Sequence, residues 1–311
     1  MKDAFITVVI PVFRSGELLP ELLRRLRAVL SSLTDRWEIL LVDDASNDGS
    51  FSRMLELREQ DNRVKLIRFA HNMGQHHATL CGLQSAQGDY VITLDDDLQN
   101  PPEEIPGLIA KLEEGYDLVI GEIIGQKNHS WHRNIASKII QILIGKILGK
   151  PKGLRLSSYR AMTRHAAAKI ASFKGVHVYL PGLILNNIPT DRICNAPVSH
   201  HERVQGKSNY TLRKSLRLVS YLLINHTRLP LRIMTTWGFI ISIASFVYAI
   251  FVIIKVTLYG SSYGGWPSLA VLISFFSGNI LFSIGVLGEY IGRLIEENNR
   301  ASQFPIYEEY L

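Results

Sequence analysis

Three consecutive carboxylates, Asp95-Asp96-Asp97, followed by Leu98-Gln99-Asn100, are the residues best placed to do chemistry in this chain. Two carboxylates two positions apart can jointly hold Mg2+ or Mn2+, both of which prefer hard oxygen ligands. A cation held there would bridge a diphosphate and take up charge on a departing nucleotide. An Asp-x-Asp by itself is usually a solvated turn. This one directly follows the apolar run Tyr90–Leu94, and a second acidic pair, Asp43-Asp44, directly follows Trp37–Val42. Two acidic clusters, each at the end of an apolar run, point to a binding site.

The elements that must position them alternate. Ile6–Val12, Trp37–Val42, Val64–Phe69 and Tyr90–Leu94 are short runs rich in apolar and β-branched residues, which predicts buried strands. Between and after them, residues 17–33, 50–60, 76–86 and 102–114 predict helices. The first carries Leu18, Leu19, Leu22, Leu23, Leu26 and Leu30 at helical spacing. Strands alternating with helices imply a doubly wound, mainly parallel sheet, which binds ligands beyond the carboxyl ends of its strands. Both acidic clusters fall at such ends. Residues 116–205 are less regular.

The last third is different. Residues 234–258 and 268–287 are long apolar segments, broken in charge only by Lys255. Each is long enough to cross a bilayer, which takes roughly 20 residues. The intervening residues 259–267 hold no Lys or Arg, while Arg228, Arg232, Arg293 and Arg300 flank the pair. The positive-inside bias places both ends of this hairpin in the cytoplasm. Residues 211–225 mix Arg213, Lys214 and Arg217 with leucines and a tyrosine, predicting an interfacial amphipathic helix. The net charge of +6 is therefore read as favouring phosphates and an anionic membrane surface, not nucleic acid. Cys81 and Cys194 lack C-x-x-C spacing, which argues against a zinc site or a disulfide framework.

Several segments together resemble family 2 glycosyltransferases of the GT-A fold, and within them the polyprenyl-phosphate sugar transferases. They are residues 9–13 (Val-Ile-Pro-Val-Phe), 41–50, 72–78, 93–105, 158–160 (Ser-Tyr-Arg), 206–210 and 287–293. The similarity runs through nearly the whole chain, including the hairpin. It implies an α/β GT-A domain over 1–210, an interfacial helix over 211–232, two transmembrane helices over 233–290 and a cytoplasmic tail over 291–311. It implies that Pro11, Val12 and Glu17 line a nucleotide pocket, that Asp43 bonds the base, and that Asp95 and Asp96 stand near the nucleotide-sugar. Asp97 and Gln99, with Asp95, would ligate the metal. Asp97, Arg133 and Arg160 would serve catalysis, and Ser137, Arg203 and Lys207 the lipid phosphate.

The implied reaction is inverting transfer from a UDP- or GDP-sugar to an undecaprenyl or dolichyl phosphate. It would occur at the cytoplasmic face of the inner, or plasma, membrane, in cell-envelope polysaccharide or lipid modification. The implied partners are the nucleotide-sugar, the polyprenyl phosphate, membrane lipid and further copies of the chain in a homo-oligomer. Two departures stand out. Gly121-Glu122-Ile123-Ile124 lacks an Arg found there in many relatives, a place Lys127 would fill. Leu154–Ser158 lacks the carboxylate proposed elsewhere as a base. Two other readings compete. A processive polysaccharide synthase would carry Gln-x-x-Arg-Trp, absent around Arg36-Trp37. A non-catalytic scaffold would not need the acidic cluster.

Overall fold

The computed structural model describes residues 3–123, 145, 149–199, 229–259, 265–299 and 303–311. Two compact units divide the chain: Met1–Leu212 together with Ala301–Leu311, and Arg213–Arg300.

The first unit is built on β1 (Ile6–Val12), β2 (Trp37–Asp43), β3 (Val64–Phe69), β4 (Tyr90–Thr93), β5 (Leu118–Ile123), β6 (Arg160–Thr163), β7 (Ile193–Val198) and β8 (Ile306–Tyr310). They form one sheet in the order β7-β5-β6-β4-β1-β2-β3-β8. Strands β1 to β4 run parallel, as the alternation of strands and helices requires. Every residue of β1 and β2 is buried. Alternate residues face opposite layers: Val8, Ile10 and Val12 join one apolar cluster and Val9 the other. The first cluster lies under α1 (Leu19–Leu33), α2 (Ser50–Gln60) and α4 (Ile105–Glu113). The second lies under α3 (Gln75–Ser85), α5 (Arg164–Ala171) and α6 (Leu180–Asn187).

The chain winds outward through β1, β2 and β3, then returns to place β4 on the other side of β1. The strand order therefore reverses between β1 and β4, which is where open α/β sheets bind ligands. Sequence periodicity left residues 116–205 irregular. The structure places β5, β6, α5, α6 and β7 there. Because β6 is antiparallel to β4, its first residue, Arg160, lies opposite Thr93, the last residue of β4.

Helix α3 packs so closely on β1 that a Cβ at Gly82 would stand 2.3 Å from Val9 Cγ1. Val9 is itself sealed in the core and has nowhere to swing. Gly82→Ala is therefore expected to destabilise the domain by about 1–3 kcal/mol, the usual cost of overpacking. A fall in Tm of several degrees in thermal unfolding would register it; an unchanged Tm would refute the tight contact.

Residues 291–311, expected as a cytoplasmic tail, carry regular structure. A helix runs on to Asn299, and Ile306–Tyr310 forms edge strand β8, antiparallel to β3. Ala70 N–H donates to Pro305 O at 2.8 Å, and Phe304 stacks on Phe69 at 5.8 Å. The chain's last residues thus belong to the first unit.

The second unit holds α7 (Leu229–Tyr259) and α8 (Trp266–Asn299). Within them Leu229–Tyr248 and Phe275–Ile295 are long and apolar enough to cross a membrane. Large apolar side chains point outward along both, with Trp237 at 60% and Phe246 at 70% exposure. The segment 211–225, expected as an interfacial helix, lies outside the described residues.

Candidate active site

Loops at the carboxyl ends of β1, β2 and β4 meet at the switch point. Among the described residues, the non-glycine positions with positive φ are Arg14, Ala45 and Leu98, one in each of these loops, at 57°, 57° and 59°. Left-handed backbone costs a side-chain-bearing residue of order 1 kcal/mol or more and tends to cluster at functional sites. Here it folds each loop sharply after its strand, so that the loops converge.

Leu94 is buried and anchors the end of β4. Asp95 follows, half-buried, accepting hydrogen bonds from Gln75 Nε2 at 2.5 Å and from the Ser158 hydroxyl. Burial pushes its pKa up to about 6, with Asp97 and Asp96 adding to the rise. Asp96 turns the other way, accepting from the Ser15 hydroxyl and from Phe13 N–H at 3.1 Å, and so ties the β1 loop to the acidic turn. Asp97 accepts from Gln99 N–H at 3.2 Å, which closes the turn. Burial and neighbouring charge raise the pKa of both Asp95 and Asp96, so two of the three adjacent carboxylates resist ionisation, which a divalent cation beside them would relieve. Asp95 and Asp97 offer oxygen donors, which Mg2+ and Mn2+ prefer, while among the described residues no three acidic or histidine side chains converge into a preformed metal cage.

Beside Asp95 opens a cleft of about 420 Å³. Pro11, Gln75, His76, Ser158, Arg160 and Tyr179 are among its walls. Arg160 is only 4% exposed, and its Nε has no hydrogen-bond partner. Burial lowers its pKa to about 10, opposed by the nearby Asp95 carboxylate, so it stays a cation at neutral pH. A buried guanidinium with an unused donor on a cleft wall is suited to an anion that completes its fork. His76 stands edge-on to Tyr179 at 5.2 Å, and burial lowers its pKa to about 4, so it is neutral. His77 Nε2 lies 2.9 Å from Val176 O, which ties α3 to residues 173–178.

The structure brings together Pro11, Asp95 and Arg160, which the sequence had singled out. Val12 is buried in the core, and Glu17 is exposed in the loop before α1. Asp43, expected to bond the base, lies at the end of β2. It has 0% exposure, accepts from Ser46 N–H at 3.1 Å and pairs with Arg68 Nε at 3.5 Å. Its carboxylate is enclosed in this structure, where it braces the loop after β2. Burial raises its pKa, and Ser46 and Arg68 oppose the rise. Arg133, Ser137, Arg203, Lys207 and Lys127 lie outside the described residues.

The roles of three residues were not assigned from the sequence. Asp44 looked like part of an acidic pair, but it accepts from Met73 N–H at 2.6 Å and Gly74 N–H at 2.8 Å. It thereby sets the start of α3, from which Gln75 reaches Asp95. Tyr179 carried no local signal, and Ser158, though inside the matched segment 158–160, was given no role; the pairing of β6 with β4 brings it to Asp95.

A doubly wound sheet with an acidic turn at its switch point is the GT-A architecture of glycosyltransferases. Residues 7–178, more than half of the chain, match the model of Glycosyl transferase family 2. The chain belongs to that family and is a glycosyltransferase drawing on a nucleotide-sugar. Among solved structures, it is similar to glucosyl-3-phosphoglycerate synthase from Mycobacterium tuberculosis in complex with phosphoglyceric acid. The TM-score is 0.52 at 18% identity, covering 71% of this chain and 79% of that one. The same enzyme with Mn2+, UDP and glucosyl-3-phosphoglycerate gives a TM-score of 0.51 at 18% identity, covering 71% and 79%. A mycobacterial protein gives 0.54 at 17% identity, covering 72% and 75%. At these identities the likeness establishes the fold alone.

Proposed function

We propose that this glycosyltransferase moves a sugar from a UDP- or GDP-sugar to a polyprenyl phosphate at the cytoplasmic face of the plasma membrane. The observation that carries the acceptor assignment is the outward-facing apolar surface of α7 and α8. Side chains such as Trp237, Phe246 and Phe282 leave water only in a bilayer or against another protein. A soluble acceptor needs no such anchor. A polyprenyl phosphate does, because its chain stays in the bilayer while its phosphate sits at the headgroups.

Asp95, Asp97 and Gln99 would hold Mg2+ or Mn2+, consistent with the Mn2+ and UDP bound by the structurally similar synthase. Such an ion supplies charge neutralisation for the departing nucleoside diphosphate. The chain's own residues do the positioning. Ser158 and Gln75 orient Asp95, and Arg160 offers its guanidinium to an anionic oxygen in the cleft. A phosphate monoester has a second pKa of about 6, so the acceptor is largely dianionic at pH 7. Its oxygen forms the new bond at the anomeric carbon as the bond to the diphosphate oxygen breaks, with inversion. No base is needed, which fits the lack of a carboxylate in residues 154–158. Positioning and charge stabilisation then supply the rate.

The deciding experiment incubates the full chain in detergent with a panel of nucleotide-sugars, offering undecaprenyl phosphate or 3-phosphoglycerate. Mass spectrometry is expected to find a lipid-linked sugar. Product on the soluble acceptor alone would overturn the assignment.

Topology gives an independent check. Gly265 is exposed just before α8, in the uncharged connection expected on the far side of the membrane. In intact cells, Gly265→Cys is expected to react with a membrane-impermeant maleimide. Reaction with permeant reagents only would place the connection in the cytoplasm and reverse the orientation.

A further inference from the structure

Arg68, at the carboxyl end of β3, stands between two carboxylates from opposite ends of the chain. Its Nε lies 3.5 Å from Asp43 Oδ2, and its Nη1 lies 3.3 Å from Glu308 Oε1 on β8. The guanidinium also lies over Phe51, 4.5 Å from the ring centroid, and near Tyr307 at 5.9 Å. Two aromatic faces and two carboxylates leave its planar fork little freedom. The sheet register explains the meeting: Asp43 pairs with Arg68 across β2 and β3, and Arg68 with Glu308 across β3 and β8.

The inner partner leads towards the donor loops. Asp43 accepts from Ser46 N–H, and Ser46 Oγ accepts from Arg14 N–H at 3.0 Å. Arg14 and Ala45 are the left-handed residues of the β1 and β2 loops. One chain of contacts therefore runs Glu308, Arg68, Asp43, Ser46, Arg14. Asp43 is fully enclosed. Arg68 is 31% exposed, so removing it leaves the buried Asp43 carboxylate held by Ser46 alone, a loss larger than that of a surface pair.

We propose that Arg68 is a positioning residue for donor binding: held by Glu308 of the C-terminal strand, it fixes Asp43 and through Ser46 the two loops that receive the nucleotide. This rests on the reading that the loops after β1 and β2 bind the donor nucleotide. Arg68 acts through Asp43 and need not touch the substrate. The strand that follows the two apolar helices thereby becomes part of the donor site's support.

The test measures binding of UDP, GDP and other nucleoside diphosphates to the full chain in detergent by calorimetry, with Tm recorded for each variant. Arg68→Gln is expected to weaken binding about tenfold, within the range of coupling between contacting residues. Arg68→Lys keeps the charge and is expected to recover most of the loss. Glu308→Gln is expected to weaken binding about threefold. Asp43→Asn should weaken it about as much as Arg68→Gln, and the double variant no more than either single one, because both break the same link. Binding at the wild-type level in Arg68→Gln, with binding lost in Asp43→Asn, would overturn the role of Arg68 and leave the donor-loop reading standing. Fully additive losses in the double variant would likewise show that Arg68 does not act through Asp43. Unchanged binding in Asp43→Asn would overturn the proposal and leave the donor-loop reading standing, while no nucleotide bound by the wild type would overturn both.

Discussion

Asp97→Asn is expected to lower kcat by about two to three orders of magnitude, the scale on which enzymes lose rate when one preorganised electrostatic contact is removed. Asp97 sits in the turn that Leu98 closes in left-handed backbone, at the reversal of strand order. It accepts a hydrogen bond from Gln99 N–H, a bond that an asparagine oxygen can still accept. The turn should therefore survive, with Tm within a degree or two, while the site loses one of three negative charges. A divalent cation would be held less well, so activity should require far more Mn2+ or Mg2+ than the wild type. The measurement is initial rate against metal concentration after EDTA treatment. Full activity of Asp97→Asn in metal-free buffer would refute the assignment.

Arg160 is expected to give the second large effect. Arg160→Gln should reduce kcat/KM by about two orders of magnitude, since charged contacts in a site shielded from water are among the strongest available. Arg160→Lys keeps the charge but loses the planar fork, and should fall between the two. The physical basis is the cost the native structure bears. A cation almost without solvent, with Nε unbonded and Asp95 close by, is incompletely satisfied until an anion enters the cleft. Nucleotide binding by calorimetry should change little, so the loss should appear in transfer and not in donor affinity. Equal losses of nucleotide affinity and of transfer in Arg160→Lys would place Arg160 in the donor site instead.

Much of this was legible in the sequence because local patterns report local physics. The short, largely apolar, β-branched runs at Ile6–Val12 and Trp37–Val42 favour strands covered on both faces, and the leucine spacing before Leu33 favours a helix that buries one face. Their alternation dictates a parallel sheet, and that alone puts Asp43-Asp44 and Asp95-Asp96-Asp97 at one edge. The two long apolar segments near the end carry their own meaning, since length and hydropathy need no partner to be read.

What the tertiary structure decided are the contacts between distant segments, for which periodicity has no term. Asp43 and Asp44 look alike in sequence, yet one braces an arginine and the other two backbone N–H groups of the turn before α3. Arg160 and Ser158 reach Asp95 because β6 inserts antiparallel beside β4, reversing which end of that strand lies at the site. The residues after α8 gave no strand signal in the sequence, because a five-residue run is too short to separate an edge strand from solvated chain. Only the open edge of β3, with Arg68 and Phe69 ready to receive Glu308 and Phe304, made a strand of them. Hydrophobic periodicity tells each segment which face to bury. Which segment covers that face, and which charge meets which, is settled by pairings across tens to hundreds of residues.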